Sequence, residues 1–376
     1  MTQIAIIGGG VVGASIAHRL LTLGARVVLV DAEDTGQATA AAAGILPPLD
    51  HFIGIPAVLP LLAGARRYYP ELLEALRQHG HADVGYDIIG ALQVASSREE
   101  LAELEQLADE CERRRALGFA HIGEVSLVGA ERARSLFPLL GDVVLGALHC
   151  SGAGRIDGRR LLAALRARAV ASGARVLRGR ASVWVEAGRV LGVQAEGESI
   201  GADAVVVAGG AWSGRALAPL GLALPVNPQR GLLLHLDLPG QASGRWPLVL
   251  GFSHQYLLGF PESRIVAGAT REDGVGFDAR PTAGGVRAVL DEALRLAPAL
   301  RDATLQETRV GFRPVTVDRM PVLGPLPGHA NLFVATGHAG YGIELGPYSG
   351  ALLAELIMGH PTAAELGPFS PARFSR

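Results

Sequence analysis

Residues 3–31 constrain the fold more than any other part of the chain. Gln3 to Ile7 is a short apolar run of the kind that forms a buried parallel strand. Gly8-Gly9-Gly10-Val11-Val12-Gly13 follows at once, and Gly8, Gly10 and Gly13 fit the spacing G-x-G-x-x-G. Ala14 to Leu23 has helical spacing of its apolar residues, and Gly24 stands where a helix would be capped. Arg26 to Val30 is a second apolar strand, ending in Asp31. Strand, glycine turn, helix and strand make one complete βαβ unit.

Such a unit suits a dinucleotide. The glycines allow a tight turn and bring backbone N–H groups close to a pyrophosphate at the helix N-terminus. Asp31, 18 residues past Gly13, is placed to accept hydrogen bonds from both ribose hydroxyls. An acid there argues against a 2′-phosphate, and so against NADP. A nicotinamide enzyme would continue as further βαβ units. This chain instead inserts strand-rich material and returns to apolar strands at Ala204–Val207 and Asn331–Ala335. A second glycine-rich turn, Gly337 to Gly342, precedes a helix expected from about Pro347 to Met358. The N-terminal end of a helix favours the negative charge of a reduced flavin. The discontinuous layout points to FAD.

Helices are also expected around Leu59–Gln78, Arg98–Leu117, Arg159–Ser172 and Val286–Leu296. Tyr86–Ala95 reads as a strand or hairpin, and Arg175–Leu177, Ala181–Glu186, Arg189–Gln194 and much of Gly231–Thr270 read as strands. The expected fold is α/β: a Rossmann-like FAD-binding domain with a discontinuous α+β substrate domain built on an antiparallel sheet. Residues 1–80, 150–220 and 305–376 are assigned to the first, and 81–149 and 221–304 to the second.

Composition removes several alternatives. All 34 basic residues are arginine, so no lysine Schiff base and no Walker A lysine is available. Codon usage is the simplest cause. Any cation offered to a ligand is therefore a guanidinium, which suits bidentate carboxylate binding. A net charge of −2 gives no basic excess for nucleic acid. No run of about 20 apolar residues is present to span a membrane. A strand begins within the first five residues with no basic leader, so the cytosol is the expected compartment. Cys111 and Cys150 make neither a disulfide framework nor a metal site, and no metal is expected. The Arg113-Arg114-Arg115 run reads as a solvated helix end.

The ordered motifs carry a family likeness that runs nearly end to end. They are Gly8–Gly13 with Asp31, Ala41-Ala42-Ala43-Gly44-Ile45-Leu46, Ala208-Gly209-Gly210-Ala211-Trp212-Ser213, Gly268-Ala269-Thr270, Arg313-Pro314-Val315-Thr316-Val317-Asp318, and Gly337-His338 through Gly342-Ile343 to Pro347. With these, the chain resembles the glycine oxidase branch of the D-amino-acid oxidase family of FAD enzymes. The resemblance implies that Thr39 and Ala42–Ile45 lie against FAD, with Gly44 and Ile45 nearest the flavin ring. It implies that Gly340, Tyr341, Gly342 and Ile343 clamp the flavin pyrimidine. Val11, Val12, Ala32, Ala43, Ala208, Gly209 and Trp212 complete the expected cofactor set. Arg313 matches the family's substrate-carboxylate arginine, and His254-Gln255-Tyr256 its His-x-Tyr, whose tyrosine assists that arginine.

Two positions depart from the glycine oxidase pattern. Arg271 stands where the relatives tend to have an uncharged residue, and in the pocket it would hold a second carboxylate or a polar side chain. Glu344 stands where they have an apolar residue; it would cap the helix, orient a substrate amine or touch the flavin. Both put glycine in doubt as the substrate. The C-terminal third has no cysteine, where sarcosine-oxidase relatives attach their flavin, so FAD is expected to be non-covalent.

The expected function is oxidation of the C–N bond of a small amino acid by hydride transfer to flavin N5. The amino acid is glycine, a D-amino acid or an N-alkyl relative, and the imine hydrolyses to a 2-oxo acid. Oxygen or another acceptor takes the electrons, and relatives form homo-oligomers. The alternatives are a dehydrogenase serving a quinone or protein, a 2-hydroxy-acid oxidase, and a non-catalytic FAD-binding subunit.

Overall fold

A computed structural model describes residues 1–48, 55–81 and 83–375; His51, given no role from sequence, lies outside them. Two sheets carry the fold. The first has six strands in the order Val322–Pro325, Leu332–Thr336, Ala204–Val207, Gln3–Ile7, Arg26–Asp31, Arg175–Arg178. Neighbours run parallel except at the edge, where Val322–Pro325 is antiparallel to its partner. The inner strands are buried on both faces, which is why they read as continuous apolar runs.

Alternate residues serve opposite faces. Ile4, Ile6, Leu29 and Val206 pack under the helices Val11–Thr22 and Gly342–Ile357, against Ile16, Leu20, Leu345 and Leu352. Ala5, Val28, Val205 and Val207 pack on a small antiparallel sheet, Ala181–Glu186, Arg189–Ala195 and Glu198–Gly201, through Val183, Val190 and Val193.

The second sheet has eight strands in the order Thr304–Thr316, Val226–Asp237, Arg264–Gly268, Tyr256–Gly259, Leu248–Leu250, Ala91–Ala95, Gly146–Cys150, Val125–Gly129. It is antiparallel as expected save for one parallel pairing, Leu248–Leu250 with Ala91–Ala95. More than 150 residues separate these two strands, so no hairpin dictates their direction. Helix Ala283–Leu296 covers the sheet with Val289, Ala293 and Leu296. Strand Thr304–Thr316 pairs along its length with Val226–Asp237. Its Phe312 N–H also donates to the Gly36 carbonyl at 2.9 Å, beyond the first βαβ unit.

Three expectations change. The last long helix begins at Gly342, not near Pro347. A proline normally marks a helix start because it has no N–H to give. Here the Ile343 carbonyl, which residue 347 would have served, accepts instead from the buried Tyr69 hydroxyl. Arg114 is not solvated; it is buried and paired with Glu110 at 2.8 Å. Cys111 is a core residue, and its Sγ lies 3.8 Å from that of Cys150, a proximity that spacing did not suggest. Among the described residues no helix is long and apolar enough to cross a membrane.

Candidate active site

A cavity of about 1220 Å³ runs from the C-terminal ends of the central parallel strands to the face of the eight-stranded sheet. That is more than one drug-sized ligand needs, roughly 300–1,000 Å³. It has room for an extended cofactor with a substrate beside it.

At the nucleotide end, Gly8, Gly10, Val11, Val12, Asp31, Ala32 and Thr39 line the cavity. Thr39 accepts from the Val11 N–H at 3.1 Å, so its hydroxyl satisfies the first amide of the helix. Gly13 is not in the lining. A Cβ there would lie 1.9 Å from the Gly8 carbonyl, so its role is the close approach of helix to strand.

Asp31 is buried, and its position depends on a residue that sequence reading missed. Arg166, on the helix Gly158–Ala171, pairs with the Asp31 carboxylate and also donates to the Gly9 carbonyl, from Nε at 3.0 Å and from Nη2 at 2.8 Å. One guanidinium thus ties the glycine turn to the acid. Asp31 Oδ1 accepts from Gln37 Nε2 at 2.9 Å and from the Glu33 N–H at 3.1 Å. A carboxylate so held faces the cavity, where ribose hydroxyls would find it.

In the middle of the cavity lie Ala42, Ala43, Gly44, Ile45, Ala208, Gly209, Trp212, Gly340, Tyr341, Gly342 and Ile343. Gly44 has φ +85°, and a Cβ on it would meet the Ile156 carbonyl at 1.7 Å, so only glycine fits. Trp212 lines the cavity while packing in an aromatic cluster, its ring 4.8 Å from Phe277 and 5.8 Å from Phe312. FAD fits this cradle on physical grounds. A helix N-terminus approached through Gly8, Gly9 and Gly10 faces the cavity, a buried acid lies beside it, and small residues form the walls further in.

Glu344 is absent from the lining and departs from its expected role at the cofactor. It is buried in the first turn of the last helix and pairs with Arg66 Nε at 2.6 Å. Arg66 also donates to the Pro47 carbonyl. A carboxylate withdrawn from water needs such a cation.

The substrate end is built on the eight-stranded sheet. Arg313 stands opposite Gln229 on the neighbouring strand. Its Nη1 donates to the Thr270 carbonyl at 3.0 Å and to Gln229 Oε1 at 3.4 Å. Its Nε and Nη2 have no acceptor among the described residues. Gly231 makes the space: a Cβ there would lie 2.6 Å from Cζ, Nη1 and Nη2 of Arg313. Burial lowers the Arg313 pKa, yet a guanidinium remains charged.

Tyr256 lies on the same wall, with Gly268 beneath it; a Cβ at 268 would sit 2.6 Å from the tyrosine oxygen. Burial pushes its hydroxyl up to about 12, so it remains a neutral donor. His254 and Arg271 are exposed and line the cavity mouth. His254 has its pKa lowered by burial and then by Arg271. His338, in the turn before the last helix, is buried and pushed down to about 4 by burial, so it is neutral. The structure therefore brings Arg313, Tyr256, His254 and Arg271 to one cavity. Gln229 and Gly231 were missed, and Gly268 was quoted only as part of the Gly268-Ala269-Thr270 motif, because their contribution is an anchor or an absent side chain.

Comparison with known proteins agrees. The model of the FAD dependent oxidoreductase family, DAO, matches residues 3–356. An uncharacterized oxidoreductase, YurR, of Bacillus subtilis strain 168 is 40% identical over 373 residues, covering 99% of both chains. The crystal structure of iminodiacetate oxidase from Chelativorans sp. BNC1 superposes with a TM-score of 0.93 at 42% identity, covering 98% of each chain. That of glycine oxidase from Geobacillus kaustophilus gives 0.88 at 32%, covering 99% of each. With a dinucleotide cradle, an arginine anchor on a second sheet and similarity over its whole length, this chain is an FAD-dependent enzyme of the DAO family of oxidoreductases, of the glycine oxidase and iminodiacetate oxidase type.

Proposed function

We propose that the protein oxidises the C–N bond of a small amino acid: glycine, a D-amino acid or an N-substituted glycine. The observation that carries this is Arg313, half-buried at the cavity wall with Nη1 anchored and, among the described residues, its other nitrogens unengaged. When bound, FAD supplies the acceptor for the two electrons and the proton that leave Cα together. Arg313 binds the substrate carboxylate, and a planar fork fixes the direction of the Cα–H bond as well as the charge. The Tyr256 O–H donates a further hydrogen bond to the same carboxylate. The walls around Tyr256, Leu233 and Ala269 keep bulk water from the reacting carbon.

The substrate reacts as the free amine, whose lone pair becomes the second C–N bond, so no strong side-chain base is required. Water then cleaves the C=N bond, giving a 2-oxo acid and ammonia, or a primary amine from an N-substituted substrate. Two electrons and two protons pass to the acceptor. Similarity to glycine oxidases and to an iminodiacetate oxidase supports this substrate class. Oxygen is the proposed final acceptor, and FAD is held without a covalent bond in a cytosolic enzyme. Residues 1–80, 150–220 and 305–376 are proposed as the FAD-binding body and 81–149 and 221–304 as the substrate body.

The test is anaerobic mixing of the yellow protein with a panel of such amino acids. Bleaching of the flavin is expected, and no bleaching by any of them overturns the proposal. Bleaching by 2-hydroxy acids alone would transfer it to that class. Oxygen uptake compared with dye reduction assigns the acceptor, and acid precipitation should release the flavin into the supernatant.

A further inference from the structure

We propose that Cys111 and Cys150 are a modification site: hydrogen peroxide joins them as a disulfide, and that bond fastens the helix Arg98–Ala116 beside the substrate cavity. The site rests on its own geometry. Only the source of the peroxide rests on the reading of oxygen as the final acceptor, since oxygen that takes up two electrons and two protons becomes hydrogen peroxide.

These are the only two cysteines of the chain. One lies on the helix Arg98–Ala116, and the other ends the strand Gly146–Cys150. They are 39 residues apart, yet their Sγ atoms lie 3.8 Å from each other. The helix packs on the sheet through Leu104, Cys111, Leu148 and Cys150. Leu148 and Cys150 project from one face of their strand, and both line the substrate cavity. Gln93, opposite Leu148 on the neighbouring strand, lines it too. The helix borders the same cavity with Gln106, Leu107 and Glu110, which share one helix face. Both thiols are buried from bulk water, but Cys150 belongs to the wall of the cavity where peroxide would be released.

The thiolate is the reactive form of cysteine. Contact with Cys150 lowers the Cys111 pKa, outweighing its burial, and contact with Cys111 raises that of Cys150. Cys111 is therefore the thiol that ionises first. Its sulfur attacks one peroxide oxygen and the O–O bond breaks. The sulfur becomes a sulfenic acid, and the other oxygen leaves as water with the proton that Cys111 gave up. Cys150 then attacks the sulfenic sulfur. The S–S bond forms, the S–O bond breaks, and the hydroxyl leaves as water with the Cys150 proton. Two thiols and one peroxide give one disulfide and two waters, and two electrons pass from the sulfurs to the peroxide. An external thiol reverses the change. In the cytosol such bonds are transient and serve sensing.

The experiment uses the FAD-loaded full chain, its Cys111→Ala and Cys150→Ala variants, and hydrogen peroxide as the probe. Peroxide should remove both thiols titrated in denaturant, and dithiothreitol should restore them. A digest without reductant should contain the two cysteine peptides joined, with the loss of two hydrogen atoms. Neither variant should form this cross-link within the chain. Amide exchange in the helix Arg98–Ala116 should slow about tenfold or more on oxidation, and not in the variants. Turnover in air should form the same bond, and catalase should suppress it. Thiols that survive peroxide, sulfinic or sulfonic acid in place of the cross-link, or a cross-link that leaves exchange unchanged overturn the proposal. A cross-link made by added peroxide but absent after turnover in air would overturn oxygen as the acceptor and leave the site standing. Flavin that no amino acid bleaches, with the peroxide cross-link intact, would overturn the amino-acid reaction alone.

Discussion

Arg166 holds Asp31 from a helix 135 residues away, and the same guanidinium holds the Gly9 carbonyl. The contact joins the turn expected to face the pyrophosphate to the acid expected to face the ribose. Arg166→Ala should therefore weaken FAD binding about tenfold or more, measured by titrating stripped protein with FAD and following flavin fluorescence. Asp31 is buried and Arg166 only partly so, which sets the expected loss of stability at roughly 1–3 kcal/mol. Unchanged FAD affinity would reduce the contact to a surface ion pair.

Gly231 is a test of Arg313 that leaves the arginine in place. An alanine methyl at 231 would meet the guanidinium at 2.6 Å. The end of a long side chain can move aside, so little stability should be lost. The displaced fork should cost about a hundredfold in kcat/KM, as misplacement by about an ångström can. Arg313→Ala should lose at least as much, since each charge-assisted bond is worth about 1.5–3 kcal/mol. Both variants should purify yellow.

Glu344 and Arg66 should behave as one unit. Glu344→Gln leaves a buried guanidinium without its anion and should cost about 3–5 kcal/mol, read by chemical denaturation. Arg66→Met combined with Glu344→Leu should recover much of that loss. A Glu344 variant that alters the flavin spectrum without destabilising the protein would return Glu344 to the cofactor.

Acid should weaken the fold from about pH 6.5 downward. His18, His235 and His338 are buried, and each is pushed down to about 4, chiefly by burial. The unfolded chain binds these protons near pH 6.5 and the folded one near 4. Stability is thus complete above about 6.5 and falls as pH drops towards 4, by at most roughly 3 kcal/mol for each histidine. Melting temperatures measured from pH 7.5 to 4 should follow this slope. His235→Leu, which removes one such group, should make it shallower.

What was legible in the sequence was local. Gly8 to Asp31 was readable because turn, helix and strand are set by neighbours within about 25 residues. Arg313 and Tyr256 were found through motif likeness, and their cavity lies where the sheet pairing brings them. Arg166 looked like any arginine on an exposed helix; its partners are 135 and 157 residues away. Glu344 looked like a helix cap because Arg66, far earlier in the chain, is its partner. The start of the last helix was missed for a related reason: Pro347 forbids a bond that Tyr69 replaces across 274 residues. A side chain that matters by being absent, as at 231, leaves no trace in pattern or charge.

The order of strands in the parallel sheet also has a consequence for synthesis. Gln3–Ile7 emerges first, yet one of its neighbours is Ala204–Val207, whose own far side waits for Leu332–Thr336. At about 5–20 residues per second, roughly 10–40 s separate the first strand from its second partner. The βαβ unit exists early with an unpaired edge, and the glycine turn waits for the helix Gly342–Ile357 to close over it. Flavin can be captured only once translation has passed that helix, so yellow colour in a nascent-chain experiment would mark chains that extend beyond Ile357.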